Sequence, residues 1–236
     1  MDFHGAAFDG GDFSGAVFSG GRVDFGGARF IGGRVDFGGA TFAGGRVTFG
    51  DAKFTGGRVT FREARFSGGE VTFRGAEFAG GTVAFHNAQF SGSNVGFVGA
   101  TFTGSQVHFG VAQVTGGHIN LFDAKFAAGV VSFGVTAFCA GSVGFDNARF
   151  DGCAVDFKKA RFVGADVSFG GAQFADGIVD FRYARFTCNA VIFSKAGFCG
   201  GTIDFAHVDD FSVQPVFDFE LRNPAKGVAL PPLPIS

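Results

Sequence analysis

Phenylalanine recurs through most of this chain at alternating intervals of seven and five residues, and few folds can accommodate such a beat. From Arg22 the unit is twelve residues long: "RVDFGGARFIGG", "RVDFGGATFAGG", "RVTFGDAKFTGG", "RVTFREARFSGG". It continues in register, with decay, to "TIDF" at 202–205. A fixed internal period is the mark of a repeat architecture, in which one supersecondary unit is copied and stacked. Composition agrees: 42 Gly and 37 Phe stand beside one Tyr, one Met and no Trp. A core of nearly one aromatic implies one packing solution used many times.

Within a unit, Val-x-Phe and Ala-x-Phe alternate inward and outward as strands of period two. The x positions hold Asp, Thr, Arg, Lys, Gln and His, which are solvent-facing types. Strands this short cannot stand alone, so units must pair edge to edge. Each Phe then lies about 4.8 Å from an equivalent Phe, the spacing of paired strands. Phe97, Phe102, Phe145 and Phe169 belong to this internal ladder. The beat slips once, at "INLFDAKF", where Leu121 takes a Phe position and Phe122 points elsewhere.

Phe-x-x-Ala reads as a tight corner and Phe-x-Gly-Gly-x-Val as a wider one. Glycine supplies the positive φ that such corners use. Where it is lost, Asn189 and Asp176 tolerate that geometry, whereas Ala165 and Cys153 fit less well. One position per wide corner is therefore expected to demand it.

Residues 6–20, "AAFDG GDFSG AVFSG", space Phe8, Phe13 and Phe18 by five. This stretch resembles the pentapeptide-repeat family, with its central Phe or Leu and a small residue two places before. The strict match covers about residues 1–21, and the remainder resembles an expanded five-plus-seven variant. The resemblance implies an all-β, right-handed quadrilateral parallel β-helix of about 24 residues per coil, with a Phe ladder as its core. A flattened or triangular coil of 12 residues is the alternative. The expected divisions are pentapeptide repeats over 1–21, a twelve-residue-repeat solenoid over 22–205, and a C-terminal cap with a proline-rich tail over 206–236. A last coil exposes core and unpaired backbone, and Phe211, Phe217, Phe219 and Leu221 are the residues to plug it. Met1 leads straight into Phe3, so the first coil calls for a covering partner or allows end-to-end self-association.

Chemistry is harder to find. No apolar run of about 20 residues is present, and "MDFHGAAFDG" lacks a secretory leader's basic start. A cytoplasmic protein without membrane contact is expected. Cys139, Cys153, Cys188 and Cys199 fall on wide corners without zinc spacing, and a 24-residue coil forbids a Cys188–Cys199 disulfide. His4, His86, His108, His118 and His207 take outward or turn positions. A filled Phe core leaves no cleft to activate a nucleophile, and the glycine corners lack the helix and Lys-Ser/Thr pair of a phosphate loop. No catalytic, cofactor-binding or metal-binding residue is assigned, and no enzyme or cofactor is expected.

Net charge is −2, which argues against nucleic acid as a partner. Basic residues concentrate at 22–74, where Arg22, Arg34, Arg46 and Arg58 share one repeat position. A 24-residue coil sends Arg22 and Arg46 to one side and Arg34 and Arg58 to the other. The expected function is a rigid, non-enzymatic module for protein–protein interaction or spacing. The alternative implied by the resemblance is a DNA-mimicking regulator of a topoisomerase or another DNA-processing enzyme, which needs an extended acidic surface.

Overall fold

The computed structural model describes residues 1–187, 191–219 and 224–231. Its described elements are all parallel strands, gathered into a 15-stranded and a 14-stranded sheet. Through the twelve-residue repeats, strand residues pair with those 24 positions on: Arg22 with Arg46, Arg34 with Arg58, Arg65 with Gln89. About nine turns stack in this way. The 24-residue coil is therefore the one adopted, and the 12-residue alternative is excluded.

One coil shows why it has four sides. Strands Arg22–Asp24, Arg29–Phe30, Arg34–Asp36 and Thr41–Phe42 follow one another, each ending beside or on a phenylalanine. Phe25, Phe30, Phe37 and Phe42 are buried to 1% exposure or less. Each stacks face to face on its successor: Phe25 on Phe49 at 4.8 Å, Phe30 on Phe54 at 4.7 Å, Phe37 on Phe61 at 4.8 Å and Phe42 on Phe66 at 4.8 Å. Across the centre Phe25 meets Phe37 edge-on at 85°, an arrangement the ring quadrupole favours. The five-spaced Phe3, Phe8, Phe13 and Phe18 stack on the same four columns. The two extra residues of each seven-residue interval are thus taken up in the wide corner without changing the core.

The tight corner, not the wide one, makes the constant conformational demand. Ala28 N donates to Phe25 O at 3.1 Å, and Gly27 between them has a φ of 62°. With a left-handed third residue, this is a type II turn. The same place is left-handed when occupied by Asp51, Glu63, Lys159, Tyr183 and even the β-branched Val111 (62°) and Val135 (61°). Those valines are genuine outliers. They persist because the next coil fixes the peptide: Val135 N donates to Lys158 O at 2.9 Å.

The wide corner has two solutions. At Gly57 (φ 66°) an added Cβ would lie 2.3 Å from Gly32 O of the coil below. Ser93, Ser105, Cys153 and Ala165 hold the same place without a left-handed φ, and all four side chains turn inward and are buried. Ser93 Oγ donates to Gly68 O at 2.7 Å, and Ser105 Oγ to Gly80 O at 2.6 Å. Cys153 and Ala165 therefore fit by a switch of backbone. Asp176 is not left-handed either, since Gly177 beside it carries that conformation at 85°. Asn189 and Cys188 lie outside the described residues.

The Phe columns are interrupted at one level. Leu121 and Val114 replace ring positions, both about 1% exposed, while Phe122 is turned out at 39%. At the C-terminal end Phe217 stacks on Phe193 at 4.8 Å and Phe219 on Phe217 at 4.6 Å. Phe211 meets Phe186 edge-on, and Val228–Ala229 adds a parallel strand to Thr202–Asp204. Leu221 falls outside the described residues.

Candidate interaction surface

With the interior filled by rings, the chemistry of the chain lies on its outer faces. The x position of Val-x-Phe is less exposed than its residue types suggest: Thr48, Thr60, Thr72 and Asp180 are buried. These side chains turn back over the tight corner and cap it. Gly26 N donates to Asp24 Oδ1 at 2.8 Å, Gly38 N to Asp36 Oδ1 at 2.7 Å, and Gly50 N to Thr48 Oγ1 at 3.1 Å. Asp, Thr, Ser and Asn recur there because short polar side chains close such turns. The Gly26 bond, with help from Arg22, holds the Asp24 carboxyl below its ordinary pKa.

Arginines stack only in pairs, as the 24-residue coil requires. Arg22 bonds Asp24 at 2.7 Å, Arg34 bonds Asp36 at 2.5 Å, and Arg46 faces Glu70 on the next coil at 3.3 Å. At the other end Asp156, Asp180 and Asp204 share one column. Lys158 reaches Asp180 at 3.1 Å, and Arg182 reaches Asp180 at 2.6 Å and Asp204 at 3.6 Å. Burial pushes the Asp180 carboxyl up, but the bonds from Arg182 and Lys158 outweigh it and its pKa is lowered.

The polar x position is lost at Ala84, Gly96, Gly144 and Ile192, and the surface becomes concave at the first two. Gly96 follows Thr72 and precedes Asn120 in register. A depression of about 430 Å³ opens above it, rimmed by Arg46, Glu70, Arg74, Asn94, His118 and Asn120. A second depression of about 360 Å³ shares Arg46 and Arg74 and adds Asp51 and Asp123. Together they form a groove of mixed charge, in which His118 Nδ1 is 2.6 Å from Ser142 Oγ. On the opposite side Ala84 leaves a smaller depression of about 290 Å³, bordered by Arg58, Arg62, His86 and His108. "TVAF" and "NVGF" mark these two depressions in the sequence, whereas at "SVGF" the Asp146 carboxylate lies over Gly144.

The other expected candidates stay apart. His4, His86, His118 and His207 are exposed, and His108 is half-buried. Cys139 and Cys199 are exposed free thiols, whereas burial pushes the Cys153 thiol up to about 11. Among the described residues no group of three His, Cys, Asp or Glu side chains could hold a metal ion, and no helix is long and apolar enough to cross a membrane.

The geometry defines a class: a four-sided parallel β-solenoid with a phenylalanine-ladder core. The family model for pentapeptide repeats matches in nine copies, over residues 2–41 and 139–185. Pentapeptide repeats are thus matched over those two stretches, and the same 24-residue coil runs on between them. No curated protein matches it. Among solved structures it is similar to HetL, a pentapeptide repeat protein involved in heterocyst differentiation regulation from the cyanobacterium Nostoc sp. strain PCC 7120. That likeness is 14% identity over 86% of each chain, with a TM-score of 0.31.

Proposed function

We propose that the chain is a rigid, non-enzymatic docking module that engages a protein partner through the groove over Gly96. The observation that carries this reading is the contrast between a ring-filled interior and a concave, charged outer face. Interfaces that place both signs of charge on a preformed surface gain specificity without a costly ordering step. A plain spacer would need no such groove. The DNA-mimicking alternative draws less support, because Arg22, Arg34, Arg46 and Arg58 interrupt any acidic flank over the first coils and Asp180 is neutralised by Lys158 and Arg182.

A photo-crosslinking residue at Asn94, on the groove rim, tests the proposal against one at Ala154 on the opposite face. In lysate of the native cell, Asn94 should give a discrete adduct that excess unlabelled chain displaces, while Ala154 should not. Equal labelling from both positions, or none, would leave only a spacer. Inhibition of plasmid supercoiling by the purified chain would instead favour the mimic.

A further inference from the structure

On the face opposite the groove, one column of x positions reads Asp36, Thr60, Ala84, His108, Ser132, Asp156 on successive coils. At Ala84 the column loses its side-chain oxygen, and the depression of about 290 Å³ opens there. Its ionisable border is Arg58, Arg62, His86 and His108, without a carboxylate. The nearest acids of the column are already engaged: Asp36 by Arg34 at 2.5 Å, and Asp156 by the Ser132 hydroxyl at 3.2 Å. Glu63 accepts from Arg62 Nε at 3.1 Å at the corner, outside the depression. Arg58 makes no ion pair among the described residues.

We propose that this notch binds a phosphate-class anion, either inorganic phosphate or a phosphate monoester. Arg58 and Arg62 come from a strand and from the corner that follows it, and both border one small depression. Guanidinium forks supply the paired donors that tetrahedral phosphate oxygens take up best. His86 and His108 add donors from the next two coils, and protonation strengthens both. His108 already feels the unbalanced charge. Burial lowers its pKa first, and His86 and Arg58 lower it further. Its Nε2 lies 3.4 Å from Gln106 Oε1, a neutral partner that offers no compensation. An anion in the notch reverses the two charge effects.

The test is a titration of the purified chain in low-salt, phosphate-free buffer, with the His108 ring followed by NMR. Inorganic phosphate should bind saturably and raise the His108 pKa. Arg58→Gln with Arg62→Gln should weaken binding about tenfold or more, the scale of lost charge-assisted hydrogen bonds. Arg34→Gln, one coil below Arg58 and already paired with Asp36, should weaken binding far less. Circular dichroism of each variant separates lost binding from lost fold. Phosphoserine binding more tightly than inorganic phosphate would assign the anion to a phosphorylated partner, and the reverse order to free phosphate. Acetate binding as tightly as phosphate, non-saturable shifts, or equal weakening by Arg34→Gln would overturn the proposal.

Discussion

Truncating one rung of the ladder measures how much each stack contributes. Phe169 is fully buried, stacked on Phe145 at 4.6 Å and on Phe193 at 4.8 Å, with Phe157 and Phe181 edge-on at 6.2 and 6.3 Å. Phe97 is equally buried but stacks on one side only, on Phe73 at 4.7 Å, because Leu121 occupies the next rung. Removing a core aromatic costs about 3–5 kcal/mol. An aromatic pair contributes about 0.5–1.5 kcal/mol beyond area burial. Phe169→Ala should therefore fall in the upper part of that range and Phe97→Ala about 1 kcal/mol below it. Phe169→Leu, which keeps most of the volume and has a native precedent at Leu121, should cost far less than the alanine variant. Urea unfolding followed by far-ultraviolet circular dichroism gives the totals. A solenoid transmits damage only to neighbouring repeats, so amide exchange should accelerate at Val143, Val167 and Val191 before the distant Val35. A loss below about 1 kcal/mol at Phe169, or a larger loss at Phe97 than at Phe169, would refute the account of the ladder as additive face-to-face stacks.

Three further outcomes follow from the corners and the buried groups. Val135→Gly should stabilise the chain by about 1 kcal/mol, since the left-handed turn strains a β-branched residue and the half-exposed side chain loses little burial; a lower urea midpoint would count against it. Asp180 titrates below its usual 3.8 in the folded chain, so the unfolded chain binds more protons just under pH 4. Stability from this group is complete above that pH and drains away as pH falls through the folded pKa; Asp180→Asn should flatten the acid limb of an unfolding-versus-pH curve, and an unchanged limb would show that the Lys158–Asp180–Arg182 contacts add nothing. With its pKa near 11, the buried Cys153 thiol should resist alkylation at pH 8 while the exposed Cys139 and Cys199 react, as read by peptide mass spectrometry; rapid labelling of Cys153 in the native chain would show that the corner opens.

The inward positions were legible because burial in a stacked coil depends on parity and period alone. Phe97 and Phe169 can be placed from spacing without knowledge of what lies above them. The coil length was legible only through the resemblance of residues 6–20 to pentapeptide repeats, since the twelve-residue period alone admits a coil of 12. The structure then shows Phe3, Phe8, Phe13 and Phe18 on four columns. At the x positions Asp and Thr read as solvated from sequence alone, because they serve equally as surface residues and as turn closers. Only the path of the corner shows that Thr60 and Asp180 are covered. The left-handed position hid for a related reason. Tyr183 and Val111 carry no signal of positive φ, and the peptide of the neighbouring coil imposes it.

A repeat that fixes every inward residue leaves function only the outward ones, and regularity makes those faces nearly flat. A missing cap is one way to make such a face concave. Replacing one capping side chain by hydrogen or methyl leaves the backbone in place, because the next coil's hydrogen bonds still hold it: Phe97 N donates to Asn120 O at 2.6 Å beside Gly96, and Phe85 N to His108 O at 2.6 Å beside Ala84. The missing atoms become a depression instead of a collapse. The residues one coil above and below become its walls, since strand pairing sets Thr72 and Asn120 about Gly96 and Thr60 and His108 about Ala84. Restoring the cap with Gly96→Thr should therefore fill the groove while slightly stabilising the fold. Unaltered crosslinking from Asn94 in that variant would show that the groove is not where a partner docks.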